Sequence, residues 1–143
     1  MAAVSIVPFE PWHLADLEPP VFDRLQMQRF AAAYRRSGPA FTLMEQGRAL
    51  GCGGLTIAGR EAQAWGFFSD RLRQRPMLLH RTVKRALPAL VAHYGLCAVT
   101  ANAHARFIAA RRWLERLGFI YVGTVPRFAG TTEDYARYRL CQD

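Results

Sequence analysis

The chain has 143 residues, 51% hydrophobic and 21% charged. It is long enough for one buried core and too apolar to be disordered. No apolar run reaches membrane-spanning length, and no membrane role is expected. The formal net charge is +8, carried almost wholly by arginine because Lys84 is the only lysine, and this admits an anionic ligand, nucleic acid or an acidic protein as partner.

The N-terminal MAAVSIVPFEPW has neither a basic n-region nor a long apolar h-region. No secretion signal is read, and a cytoplasmic location is expected. Cys52, Cys97 and Cys141 are scattered, as reduced thiols are, with Cys52 and Cys97 in apolar runs that suit a core.

Ser5–Phe9 is the first strand candidate, followed by one or two helical turns over Pro11–Leu17. Pro20 suits the first turn of a helix striped by Val21, Phe22, Leu25, Phe30 and Tyr34 and stopped at Ser37-Gly38-Pro39. Phe41–Gln46, Ala49–Ala58 and Gln63–Phe68 read as an antiparallel meander, turning at Gln46-Gly47-Arg48 and Gly59-Arg60-Glu61. The stretch FSDRLRQRPMLLHR (68–81) then leads into a helix over Pro76–Tyr94, in which Pro88 should form a kink or a split, with Gly95 as C-cap. Leu96–Ala101 reads as a buried strand and His104–Leu117 as a helix capped by Gly118. Phe119–Val125 and Asp134–Leu140 are the last strands, turning near Gly130. The expected fold is a mixed α/β (α+β) sheet of six or seven strands with helices on both faces, in one domain over 1–143.

AARRWLERLGFIYVGTV (109–125) followed by DYARYRL (134–140) resembles the end of a GNAT-superfamily N-acyltransferase, in which a helix closes on a leucine-glycine-phenylalanine step and the next strand starts at the phenylalanine. Gly123, Asp134 and Tyr138 are similar to the subgroup that acetylates ribosomal-protein N-termini. The compact length and arginine-rich junction resemble short GNAT-like proteins of bacteriophages.

The resemblance implies acyl-CoA, by default acetyl-CoA, as donor and an amine of a small molecule or protein as acceptor; His13, His80, His93 and His104 pair at no metal-ligand spacing, so no metal is expected. It implies a donor site where Gln63–Phe68 and Leu96–Ala101 splay apart. Backbone groups at Gly66, Phe67 and Phe68 would pair with the pantetheine arm, and the pyrophosphate would lie at the N-terminus of the helix from Pro76. Members usually carry a glycine-rich turn there. This chain has Arg71-Leu72-Arg73-Gln74-Arg75-Pro76 instead, so any phosphate contacts fall to the side chains of Arg71, Arg73 and Arg75. The usual helix asparagine and general-acid tyrosine positions hold Phe107 and Leu114.

His104, expected where the last helix begins, is a candidate base. Asn102 is a candidate cofactor contact or, alternatively, a helix N-cap. Tyr121, with Tyr135 and Tyr138, is a candidate acid, and Glu45 a candidate attractor for a cationic amine. The glycines of GCGGL (51–55) do not open a helix, so they are read as permitting a bulge or close backbone approach rather than binding a dinucleotide. Trp65, Phe67, Phe68, Trp113, Phe119 and Tyr121 with the arginines admit nucleic acid, but most fall in strands that need apolar faces, which ranks that reading lower. The rival to the enzyme is a non-catalytic GNAT-like structural or interaction protein, virion-associated or host-interacting if phage-borne.

Overall fold

The computed structural model describes residues 3–17, 21–128 and 131–141. Strands β1 (Val4–Pro8), β2 (Ala40–Glu45), β3 (Arg48–Ala58), β4 (Glu61–Phe68), β5 (Ala98–His104), β6 (Ile120–Val125) and β7 (Tyr135–Cys141) form one mixed sheet in the order β1-β2-β3-β4-β5-β7-β6. Helices α1 (Val21–Arg36), α2 (Asp70–Arg73), α3 (Pro76–Tyr94) and α4 (Ile108–Arg116) flank it, with a 3₁₀ turn over Pro11–Asp16. Among the described residues no helix is long and apolar enough to cross a membrane. Pro20, Gly130 and the side chains of Val21, Phe22, Leu25 and Phe30 lie outside the described set.

Contacts divide the chain into two compact units, residues 1–56 with 65–79, and residues 57–64 with 80–143. In the first, β1 and β3 both run antiparallel to β2. Ala49, Leu50 and Cys52 are all fully buried, because successive side chains of β3 enter different clusters. Ala49 and Cys52 pack with Phe9, Leu14, Leu17, Tyr34 and Phe67. Leu50 packs with Leu43 and Leu72. The glycine-rich stretch of β3 follows from crowding: a Cβ on Gly51 would stand 2.6 Å from Leu72, and one on Gly54 2.3 Å from the Pro39 carbonyl oxygen.

In the second unit, Glu61–Ala64 of β4 pair in parallel with Ala98–Ala101 of β5, and β7 lies antiparallel between β5 and β6. Both helix stops are Schellman motifs. At Gly95 (φ +63°) the Leu96 amide donates to the Val91 carbonyl and the Gly95 amide to that of Ala92. At Gly118 (φ +100°) the Phe119 amide donates to Leu114 and the Gly118 amide to Glu115. Leu114 and Phe119 are both buried, which supplies the apolar contact this motif carries and explains the Leu117-Gly118-Phe119 step.

Of the kink or split expected at Pro88, the split does not occur: helix α3 runs Pro76–Tyr94 through an exposed Pro88. Two further expectations are corrected. Strand β5 starts and ends later than Leu96–Ala101, because Leu96 closes the α3 cap and the strand pairs with β7 as far as His104. His104 is therefore the last strand residue, not a helix start, and Asn102 lies within the strand and caps nothing. Phe107 takes the N-cap position of α4, without a side-chain bond.

Candidate functional site

The stretch 68–81 lies mostly in the first unit. The Ser69 amide donates to the Leu50 carbonyl, and Ser69 Oγ accepts from the Leu72 amide at 3.2 Å, capping the short α2. Leu72 is only 1% exposed and anchors the turn in the core. At the start of α3, Pro76 has no N–H and the Leu78 amide donates to the Arg75 carbonyl at 3.1 Å. A backbone nest of free amides is therefore not offered there, and anion contacts must come from side chains.

The three arginines differ. Arg73 bonds the Phe68 carbonyl and pairs with Asp70. Arg75 pairs with Glu45 at 2.8 Å, so two expected site residues meet each other, and the charge of Glu45 is spent on an arginine rather than left open to an amine. Arg71 Nη2 is enclosed and has no hydrogen-bond partner among the described residues. Arg71 lines a cavity of about 150 Å³ with Asp16, Arg48, Ser69 and Asp70. Of the strand end before the turn, Phe67 is buried against Tyr34 and Trp65. Gly66 is covered by the Phe68 ring, which a Cβ would meet at 2.6 Å.

A further cluster in this unit lay beyond sequence reasoning. Thr42 Oγ1 stands 2.7 Å from His13 Nδ1 and 3.4 Å from Cys52 Sγ, and the Glu10 amide donates to the same His13 nitrogen. The order resembles a nucleophile with a base behind it. Burial pushes the Cys52 thiol up to about 11, opposed in part by its bond to Thr42, so the thiolate is scarce at neutral pH and the cluster is a polar pin inside the core.

In the second unit, cross-strand register sorts the candidates onto two faces. Asn102 and Arg137 are register partners, and Arg137 Nε donates to Asn102 Oδ1 at 3.1 Å. The Asn102 Nδ2 donor is enclosed and unpartnered among the described residues. His104, two residues on, shares that face. It is 3% exposed; its Nδ1 accepts from the Arg106 amide at 3.1 Å and its Nε2 lies 3.2 Å from Glu133 Oε2. An accepting Nδ1 fixes the tautomer, so the Nε2–H donates to the carboxylate. Glu133, which also lies 3.4 Å from Arg106, is the more exposed member of this pair and was not singled out from the sequence.

The opposite face carries Tyr138, fully buried, whose hydroxyl donates to Glu115 at 3.2 Å and accepts from Arg111 Nε at 3.1 Å. The bond to Tyr138 raises the pKa of Arg111 further. Tyr121 stands edge-on to Tyr138 at 5.7 Å and is 46% exposed. Its hydroxyl lies 2.7 Å from Thr124 Oγ1, and the Arg111 guanidinium sits 5.4 Å from its ring centre. Tyr121 and His104 thus face opposite sides of the sheet.

No protein-family profile matches the chain, and no curated protein matches it in sequence. Solved structures do match. The ribosomal-protein-S18-alanine N-acetyltransferase from Escherichia coli aligns at a TM-score of 0.72 and 19% identity, over 97% of this chain and 94% of that one. A GNAT-family acetyltransferase from Streptococcus pneumoniae gives 0.71 and 15%, over 98% and 100%. A spermidine N-acetyltransferase variant from Vibrio cholerae gives 0.68 and 16%, over 97% and 94%. The chain has the GNAT N-acyltransferase fold. Against the pattern that the sequence resembles, Leu114 is buried as the apolar half of the α4 Schellman motif and offers no proton. Among the described residues of β6 and β7, the phenols on the α4 side are Tyr138, enclosed between Arg111 and Glu115, and the accessible Tyr121.

Proposed function

We propose that the chain is an acyl-CoA-dependent N-acyltransferase, with acetyl-CoA as donor and an amine of a small molecule or a protein as acceptor. The observation that carries this reading is the GNAT fold spanning nearly the whole chain, with three arginines at the β4-to-α3 junction in place of glycines. In this reading the Gly66–Phe68 backbone pairs with the pantetheine arm. Arg71, Arg73 and Arg75 take the diphosphate, the latter two releasing Asp70 and Glu45 as they do so. Asn102 Nδ2 is a donor awaiting an acceptor oxygen.

The amine nitrogen attacks the thioester carbonyl carbon, the C–S bond breaks, and CoA leaves as thiolate. Glu133, held by His104 and Arg106, draws the ammonium form of the acceptor and takes its proton. The second proton that the nitrogen sheds as the amide forms passes to water, and the thiolate leaves unprotonated, because Tyr121 lies on the opposite face of the sheet from His104, which holds Glu133. A thiolate leaves readily, so the loss of the usual tyrosine at Leu114 lowers the rate without abolishing the reaction.

Unfolding with and without millimolar acetyl-CoA, followed by thiol release with an amine panel, tests the reading. A ligand at a hundred times its dissociation constant stabilises by about 2.7 kcal/mol. No stabilisation by acetyl-CoA sinks the proposal. Stabilisation without thiol release from any amine favours the second reading, a GNAT-like interaction protein that keeps the donor site, for which Leu114 and the ion-paired Arg73 and Arg75 speak.

A further inference from the structure

The second unit carries a cation-rich helical surface that the acyl-transfer reading does not use. The crossovers β4-α3-β5 and β5-α4-β6 each join parallel strands and step the same way along the order β4-β5-β7-β6. Parallel crossovers are right-handed, so α3 and α4 lie on the same face of this part of the sheet. Trp113 Nε1 of α4 donates to His80 Nδ1 of α3 at 3.3 Å, which sets the helices side by side.

Their outward positions are basic. Arg81, Lys84 and Arg85 follow one another at helical spacing on α3 and are exposed, as are Arg112 and Arg116 on α4. Helix α3 contains no acidic residue within Pro76–Tyr94. The one carboxylate of α4, Glu115, accepts the Tyr138 hydroxyl. Among the described residues Lys84, Arg85, Arg112 and Arg116 enter no ion pair. Neighbouring helices pack about 8–10 Å apart, and the exposed cations of α3 and α4 flank the Trp113–His80 contact in sequence, as one basic strip.

We propose that this strip docks the phosphate backbone of a duplex nucleic acid, independently of sequence. Charge complementarity names a polyanion. Among the described residues the two helices themselves set no aromatic face among their cations, which favours a duplex: their exposed large apolar residues are Met77, Tyr94 and Ile108, and the single aromatic among them stands at the far end of α3. Single-strand binders set aromatic faces among their cations. An acidic protein partner would call for an apolar anchor between the cations, where α3 offers alanines.

The test is fluorescence anisotropy with short labelled double-stranded DNA and double-stranded RNA, plus the matching single strands, between about 50 and 200 mM salt. Binding of either duplex supports the proposal and names its source. Each neutralised phosphate contributes about −0.9 to the slope of log K against log salt. Lys84→Gln/Arg85→Gln and Arg112→Gln/Arg116→Gln should each flatten that slope by about two. Arg24→Gln/Arg36→Gln, which removes the same charge from exposed positions of α1, should leave it nearly unchanged. Circular dichroism confirms that each variant is folded. The proposal fails if neither duplex binds, if single strands bind better than duplexes, or if the α1 control flattens the slope as much as the strip variants do.

Discussion

The turn over residues 69–75 and the outer strip of α3 and α4 are both rich in arginine, yet they are built differently. In the turn, two of three arginines hold a carboxylate, Arg73 with Asp70 and Arg75 with Glu45, and Leu72 fastens the turn into a buried cluster. On the strip, Lys84, Arg85, Arg112 and Arg116 have no counter-ion among the described residues. Arginines with built-in partners yield only to a ligand that offers more than a carboxylate does, as a diphosphate with bidentate geometry can. Unpaired cations on an open helix surface attract any polyanion, with strength set by salt. The same residue type thus serves selectivity in one place and long-range attraction in the other.

The largest effect expected from this contrast is on stability. Leu72→Ala removes a side chain 1% exposed between Leu43 and Leu50, and should cost about 2–5 kcal/mol in urea unfolding. Arg85→Ala on the strip should stay within about 0.5 kcal/mol. Equal losses would mean that the strip is anchored as the turn is.

Ligand affinity comes next. Arginine–phosphate bonds contribute on the order of 1.5–3 kcal/mol each. Arg73→Ala/Arg75→Ala should therefore weaken CoA binding, read by calorimetric titration, by roughly a hundredfold at low salt and by less at high salt. Arg75 is the cleaner single probe, since Arg73 also supports the Phe68 carbonyl. Lys84→Gln/Arg85→Gln should leave CoA affinity unchanged. A double variant of the turn that binds CoA as wild type does would reduce Arg73 and Arg75 to parts of the turn's own architecture.

The unit that holds the paired arginines also holds a group that titrates. The Cys52 thiol is pushed from its ordinary 9.0 to about 11 in the folded chain. Its contribution to stability is complete below about pH 9 and is lost as pH rises towards about 11, because unfolding then releases a proton. The slope approaches about 1.4 kcal/mol per pH unit. Cys52→Ala should flatten the alkaline limb of the stability curve. With a thiol reagent at pH 8, Cys141 should react well before Cys52.

The order of elements was legible because each carries its own signal. Alternation marks the strands, and the two Schellman caps announce themselves as glycine after an apolar helix end. What the sequence hid depends on register. Asn102 meets Arg137 across 35 positions and Arg75 meets Glu45 across 30, and neither pairing leaves a local trace. The stretch AVTANAHA is alanine-rich with little β-propensity at its end, so His104 read as a helix start, although pairing with Tyr135 keeps it in the strand. The Cys52–Thr42–His13 cluster and the bond from His104 to Glu133 stayed out of view for the same reason: their members come from different elements.

The smallest effect is the one that tests the contrast most directly. Glu45 is about four-fifths buried and holds Arg75 at 2.8 Å, whereas Arg75 is 43% exposed. A CoA phosphate that takes Arg75 must first displace this carboxylate, and the lost pair, partly solvated, is worth about 0.2–1 kcal/mol. Glu45→Gln keeps the shape and removes the competing charge. CoA should therefore bind up to about fivefold more tightly, with the gain shrinking as salt screens both terms. Asp70→Asn should act in the same direction through Arg73, with a smaller gain, because Asp70 is 61% exposed and the Phe68 carbonyl still holds the guanidinium. Among the described residues Lys84, Arg85, Arg112 and Arg116 hold no carboxylate, so neither substitution should alter the salt slope of duplex binding. Weaker CoA binding by Glu45→Gln would mean that Glu45 orients Arg75 towards the phosphate rather than competing for it.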